Sequence, residues 1–311
     1  MHRRLFTQFI AATWLLGACG PAVSQQPASP QPALNAALAP ARAALHAGQW
    51  ADAERQLRAY LLLHPDAADA LYLLGFTLFH ENKPKDSLAA FTIAARGARP
   101  TARDLRTVAL DYVLLNAYDD ADKWITHAAH DDPADGETWY AMGRIKYTEN
   151  RFTEAVDSFE HALALMPRSV KAEDNLGLAL EGLNRPDDAV AAYRRAIAWQ
   201  AASPHPSEQP LLNLGILLTD RNQLDEALPL LTQAEALVPK DPRVHGALGK
   251  LYARRQTYPQ ARAELELAVA ADPQNSGLHF QLGQVYRKLG LSDRAAAELQ
   301  QAAAVESKTR R

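Results

Sequence analysis

The sequence predicts an all-α protein built as a linear array of helix pairs. Three observations carry that expectation: a 34-residue internal period, small residues at fixed places within it, and a glycine or asparagine between two apolar stripes. Numbering each unit from 1, the units start at 34, 68, 102, 136, 170, 208, 242 and 276. The step is constant except for four extra residues after the fifth unit.

Each position has a mechanical reason. Positions 4, 7, 8 and 11 share one face of a first helix, and positions 20, 24 and 27 form the matching stripe on a second. Position 8 reads Ala41, Gly75, Ala109, Gly143, Gly177, Gly215, Gly249 and Gly283. Position 20 is Ala or Ser in every unit, and position 27 is Ala in all but the first, which has Tyr60. Position 24 is large and apolar: Leu57, Phe91, Ile125, Phe159, Tyr193, Leu231, Leu265, Leu299. Small residues let two helix backbones approach, and the large residue fills the gap between them. Position 15 reads Gly48, Asn82, Asn116, Asn150, Asn184, Asn222, Gln256 and Gly290, and glycine and asparagine are the residues that tolerate the left-handed turn closing a helix. Proline at position 32 (Pro65, Pro133, Pro167, Pro239, Pro273) stops the second helix. The insertion near Ser203-Pro204-His205-Pro206-Ser207 breaks the period and predicts a local change of superhelix angle that divides units one to five from six to eight.

Eight units in one register resemble the tetratricopeptide repeat family over residues 34 to about 309. The resemblance implies a right-handed superhelical α-solenoid of about eight helix-turn-helix repeats, with the first helix of each pair lining an inner groove. It also implies binding of other proteins rather than chemistry. Departures from the family pattern are Pro40 at position 7 of the first repeat, and Glu173, His245 and His279 at position 4. The first repeat is expected to act as an imperfect cap.

The N-terminus reads as an address. Arg3 and Arg4 precede an apolar run from Leu5 to Leu16, too short to span a bilayer and suited to a signal peptide. The run ends in Leu16-Gly17-Ala18-Cys19, which resembles the lipobox of bacterial lipoproteins; Cys19 is the chain's one cysteine. The resemblance implies cleavage after residue 18, lipidation of Cys19, and a place on the periplasmic face of the outer membrane in a Gram-negative source, since Gly20 rather than aspartate follows. An ordinary secretory signal cut after Ala22-Val23-Ser24 would instead leave a soluble product. Residues 19–33, rich in Pro, Ala, Gln and Ser, suit a flexible tether to a repeat region at 34–311.

Other functions find little support. A net charge of −3 gives no footprint for nucleic acid. One cysteine excludes a disulfide within the chain or a cysteine-based zinc cluster. His127 and His130, followed by Asp131 and Asp132, suit a solvated helix end better than a metal site. With no phosphate-binding glycine loop, no nucleophile elbow and no paired carboxylates, neither an enzyme, a cofactor nor a small-molecule substrate is expected.

What remains is the surface left after packing. Positions 2, 5, 9 and 12 of the first helices give Asp69, Tyr72, Phe76 and Phe79, then Arg103, Arg106, Leu110 and Val113, then Glu137, Tyr140, Arg144 and Tyr147. Aromatics interleaved with arginine are typical interface anchors, although Phe76, Phe79 and Leu110 equally suit packing between repeats. Asn175 and Asn213, at position 6, resemble asparagines with which some family members grip a peptide backbone. Arg243, Lys250, Arg254, Arg287 and Lys288 form a basic stripe able to receive an acidic segment, or simply a solvated face. The expected partners are envelope proteins. The expected role is a scaffold, or alternatively an obligate structural subunit of a pilus, secretion or cell-wall assembly.

Overall fold

The structure, a computed structural model, describes residues 31–309. The expected signal segment 1–18, Cys19 and the tether up to residue 30 lie outside the described residues. Sixteen α-helices follow one another, with no strand among the described residues. The first four pairs are α1 (Gln31–His46) with α2 (Trp50–Leu63), α3 (Ala68–His80) with α4 (Pro84–Gly97), α5 (Ala102–Leu114) with α6 (Tyr118–Asp131), and α7 (Gly136–Thr148) with α8 (Phe152–Leu165). The other four are α9 (Val170–Gly182) with α10 (Pro186–Gln200), α11 (Gln209–Asp220) with α12 (Leu224–Leu237), α13 (Pro242–Arg254) with α14 (Tyr258–Ala271), and α15 (Ser276–Lys288) with α16 (Ser292–Thr309). Pro40 lies inside α1, which continues past it.

The described residues divide into two compact units, with the boundary between Ile145 and Lys146 inside α7. The sequence places a division at the 203–207 insertion instead. The structure shows why stacking survives there: the buried Gln200 side chain clasps the loop backbone. Its Nε2 donates to the Ser207 carbonyl at 2.7 Å, and its Oε1 accepts from the Ser207 N–H at 2.8 Å. Helix α11 therefore packs on both α9 and α10, just as α13 packs on α11 and α12.

Packing within each pair follows the sequence pattern. Leu57, Ile125, Phe159, Tyr193, Leu231 and Leu265 at position 24 are fully buried, as are the alanines at positions 20 and 27 of the same repeats, Tyr60 aside. A Cβ placed on Gly177 would lie 2.4 Å from the Tyr193 ring, and one on Gly249 would lie 2.5 Å from Leu265 Cγ. The position-8 glycine thus makes room for the position-24 side chain of its own repeat. At position 15 all eight residues have positive φ, from 56° at Asn116 to 74° at Gly290. Asparagine tolerates that region where a branched side chain would not.

The departures at position 4 also find a physical account. Trp139 Nε1 donates to the Pro133 carbonyl at 2.9 Å. His245 Nε2 lies 3.1 Å from the Pro239 carbonyl, and His279 Nε2 lies 3.1 Å from that of Pro273. Each ring nitrogen at position 4 therefore reaches the position-32 carbonyl of the preceding repeat, a link between neighbours that leucine cannot make. Glu173 uses the same position differently: it is buried and accepts from Arg195 Nε at 2.7 Å.

Replacement of Gly177 by alanine should destabilise the chain by about 1–3 kcal/mol through overpacking against Tyr193. Urea unfolding at neutral pH measures it, and an unchanged midpoint would refute the close-approach account.

Candidate functional site

In the first unit, α3 and α5 present the stripe expected of a groove, but its residues have different fates. Tyr72 donates its hydroxyl to the Ala98 carbonyl at 2.6 Å, and its ring tilts against Phe91 at 6.0 Å. Burial pushes its phenol up to about 12. Expected as a wet contact, Tyr72 is instead a structural tie. Arg106 is also spoken for: it pairs with Asp135 and lies 3.3 Å from Thr138 Oγ1, joining the third and fourth repeats. A position-5 guanidinium can span to the next repeat's helix start, where a capping carboxylate already sits.

Phe76, Phe79 and Arg103 form a different kind of surface. Phe76 and Phe79 are half-buried and Arg103 is exposed, with its guanidinium 4.5 Å above the Phe76 ring. His80 stacks on Trp50 with ring centres 4.1 Å apart and planes 4° from parallel, and Phe76 meets both rings edge-on. Burial, then the nearby Arg103 charge, lowers the His80 pKa, so the imidazole behaves as a neutral aromatic. Trp50 and His80 were not singled out in the sequence, because position 17 of a preceding second helix and position 13 fall outside the 2-5-9-12 stripe. Leu110 and Val113 pack with the core of the third repeat. On α7, Tyr140 is half-buried and Arg144 is exposed.

In the second unit, several expected contact residues are committed to packing. Tyr147 is half-buried with its ring against Phe152 at 5.6 Å, and burial raises its pKa. Asn175 donates to the Lys171 carbonyl of its own helix at 2.8 Å. Asn213 donates to both oxygens of buried Asp174, at 3.0 and 3.2 Å. Neither asparagine therefore stands ready to grip a peptide. Three of the five stripe cations are also paired: Arg243 with Asp241 and Glu208, Lys250 with Asp220 at 2.7 Å, and Arg254 with Asp220 at 3.1 Å. The sequence hid this because the carboxylates come from the preceding repeat. Arg287 contacts Gln284, while Lys288 is exposed. Beside them on α15 stands Phe280, 53% exposed, at position 5 of its repeat. Extending the stripe to the eighth repeat would have found it.

Two buried acids stand apart. Asp111 occupies position 10, where the neighbouring repeats carry Thr77 and Ile145. Ser87 Oγ lies 2.6 Å from Asp111 Oδ2 and 2.8 Å from the Gly75 carbonyl, and Asp111 Oδ1 has no partner. One hydroxyl proton cannot serve both acceptors, so a protonated Asp111 satisfies the group best. Burial pushes its pKa up to about 7. Burial likewise raises Asp174 to about 6, offset by the Asn213 hydrogen bond. Beside Asp174, Tyr193 donates to Glu181 at 2.5 Å. A cavity of about 290 Å³ in the first unit is bounded by Tyr72, Leu88, Ile93, Val108 and Trp124, and carries no paired catalytic groups. His130 is exposed and 3.6 Å from Asp131, and His127 touches Trp124, an arrangement suited to a solvated helix end.

Tetratricopeptide repeat family models match residues 38–103 and 140–206, 180–251 and 218–276, and 276–309. Together they account for well over half of the sequence. The chain belongs to the tetratricopeptide repeat family. A 63-residue stretch, a fifth of the chain, is 35% identical to the peroxisomal targeting signal receptor of Saccharomyces cerevisiae, and spans a tenth of that protein's length. Among solved structures, a tetratricopeptide repeat protein from Parabacteroides merdae superposes with a TM-score of 0.64 at 15% identity, covering 81% of this chain and 98% of that one. PilW, a type IV pilus biogenesis factor, gives 0.60 at 23% identity, covering 67% of this chain and 94% of its own. At these identities the likeness shows the fold alone. No helix among the described residues is long and apolar enough to cross a membrane.

The raised acid of the repeat core is testable. Its native state holds a proton that the unfolded chain releases near the ordinary 3.8, so this contribution is full below that value and is lost as pH rises through about 7. Asp111→Leu should therefore be more stable than wild type at pH 8, by about 1–3 kcal/mol. The advantage should shrink as pH falls from 7 to 4, as chemical unfolding at several pH values would show.

Proposed function

We propose that the chain is a non-enzymatic scaffold of the bacterial envelope that holds a partner protein on the first helices of its repeats. The observation that carries this reading is the patch on α3 and α5, where exposed Arg103 lies over Phe76 with its charge near His80, and Phe79 meets the His80 ring edge-on. Aromatic rings with an accessible guanidinium supply desolvatable area together with a directional charge. Phe280 with Arg287 and Lys288 offers the second unit a contact of similar composition, suited to an acidic segment carrying an apolar side chain. The family supports protein binding in general, and Leu16-Gly17-Ala18-Cys19 supports an anchor on Cys19 and a periplasmic outer-membrane position. Leu62 and Leu63, 85% and 79% exposed at the end of α2, favour a second reading as an obligate structural subunit.

Affinity capture from an envelope fraction should recover partners with wild type and lose at least about tenfold of them with Arg103→Glu or Phe280→Ser, about 1.4 kcal/mol of binding. Equal recovery by all three would exclude both patches. Cys19→Ser should move the protein from the membrane pellet to the soluble fraction; a wild type already soluble would favour the ordinary secretory signal.

A further inference from the structure

The two histidines at position 4 make the same pair of contacts, and a difference in what surrounds them is informative. His245 on α13 is buried, with Nε2 3.1 Å from the Pro239 carbonyl and Nδ1 2.8 Å from Glu264 Oε2. His279 on α15 is buried in the same way, with Nε2 3.1 Å from the Pro273 carbonyl and Nδ1 2.6 Å from Glu298 Oε2. A carbonyl only accepts, so Nε2 carries the proton in both rings. Nδ1 of a neutral ring then aims its lone pair at a carboxylate, and something positive must lie between them.

At His279 a single proton suffices, because one carboxylate faces one ring. At His245 a second carboxylate arrives from α12: ligand atoms of Glu235, His245 and Glu264 all lie within 4.8 Å of one another. The equivalent of Glu235 beside His279 is Val269. One proton leaves this triad with a net negative charge in a half-buried setting. A divalent cation bound by a neutral imidazole and two carboxylates balances it.

We propose that Glu235, His245 Nδ1 and Glu264 form a binding site for a divalent transition-metal ion of the zinc type. One imidazole nitrogen and two carboxylate oxygens suit zinc, at ligand distances near 2.0–2.2 Å, with a fourth position left for water. The imidazole disfavours calcium and magnesium, which take oxygen donors. The Nε2–H bond to the Pro239 carbonyl is the outer-shell contact that fixes the tautomer of a metal-bound histidine. The three ligands come from α12, α13 and α14, so an ion there joins the sixth and seventh repeats. The site is independent of the partner surfaces proposed above.

Zinc titration of the untagged full chain, by calorimetry and by competition with a chromophoric chelator, tests the assignment. Wild type should bind one zinc ion at this site and gain thermal stability from it. Glu235→Val, which gives the site the composition found around His279, should keep its helical signal and weaken zinc binding at least about tenfold. Val269→Glu should add a second zinc equivalent in the eighth repeat. Absence of binding by wild type, equal binding by Glu235→Val, or an unchanged stoichiometry in Val269→Glu would each overturn the proposal.

Discussion

Everything in this fold depends on how closely the two helices of each repeat approach. Glycine at position 8 leaves no room for a Cβ beneath the side chain at position 24, as at Gly177 under Tyr193 and Gly249 under Leu265. That contact fully buries the position-24 side chain at the centre of the repeat, and truncating such a residue costs about 2–5 kcal/mol. A repeat with that contact cannot bury its outer faces by itself, so its neighbours must do so. The turn at position 15 then has little freedom, and its positive φ in every repeat is the backbone's answer to bringing two helices so near.

Once the pair is fixed, polar side chains on its surface reach partners about one repeat away. Lys250 and Arg254 with Asp220, and Arg243 with Glu208, join consecutive repeats, and Arg106 reaches Thr138 of the next repeat at 3.3 Å. Exposed pairs of this kind are each worth at most about 1 kcal/mol. They set the register of neighbouring repeats more than they hold the chain together. Position 4 contributes more specific links, since Trp139, His245 and His279 each reach the carbonyl at position 32 of the repeat before.

This explains why the fold was legible in the sequence while the candidate surface was legible only in part. Helix pairing, turn residues and buried alanines are read within one period, and a single repeat contains all the information needed. The fate of Arg106 or Asn213 depends on a residue 29 or 39 positions away. A stripe drawn along one helix does not register such partners. The insertion shows the same limit: the sequence marks where the four extra residues fall, but not that Gln200 holds both the N–H and the carbonyl of Ser207. Phe280 was within reach of the stripe rule; Trp50 and His80 lay just beyond it.

The contrast between Arg103 and Arg106 states what makes a surface available in such an array. They lie three residues apart on α5 and carry the same group. Arg106 points toward the start of α7, where Asp135 and Thr138 receive it, and its side chain is 19% exposed. Arg103 points back toward α3, where Phe76 offers only a ring face. A ring attracts a cation without neutralising it, so the guanidinium keeps its hydrogen-bond donors for an acid that arrives from outside. The aromatic residues below it thus act less as hydrophobic area than as a platform that holds a charge in place and leaves it unspent.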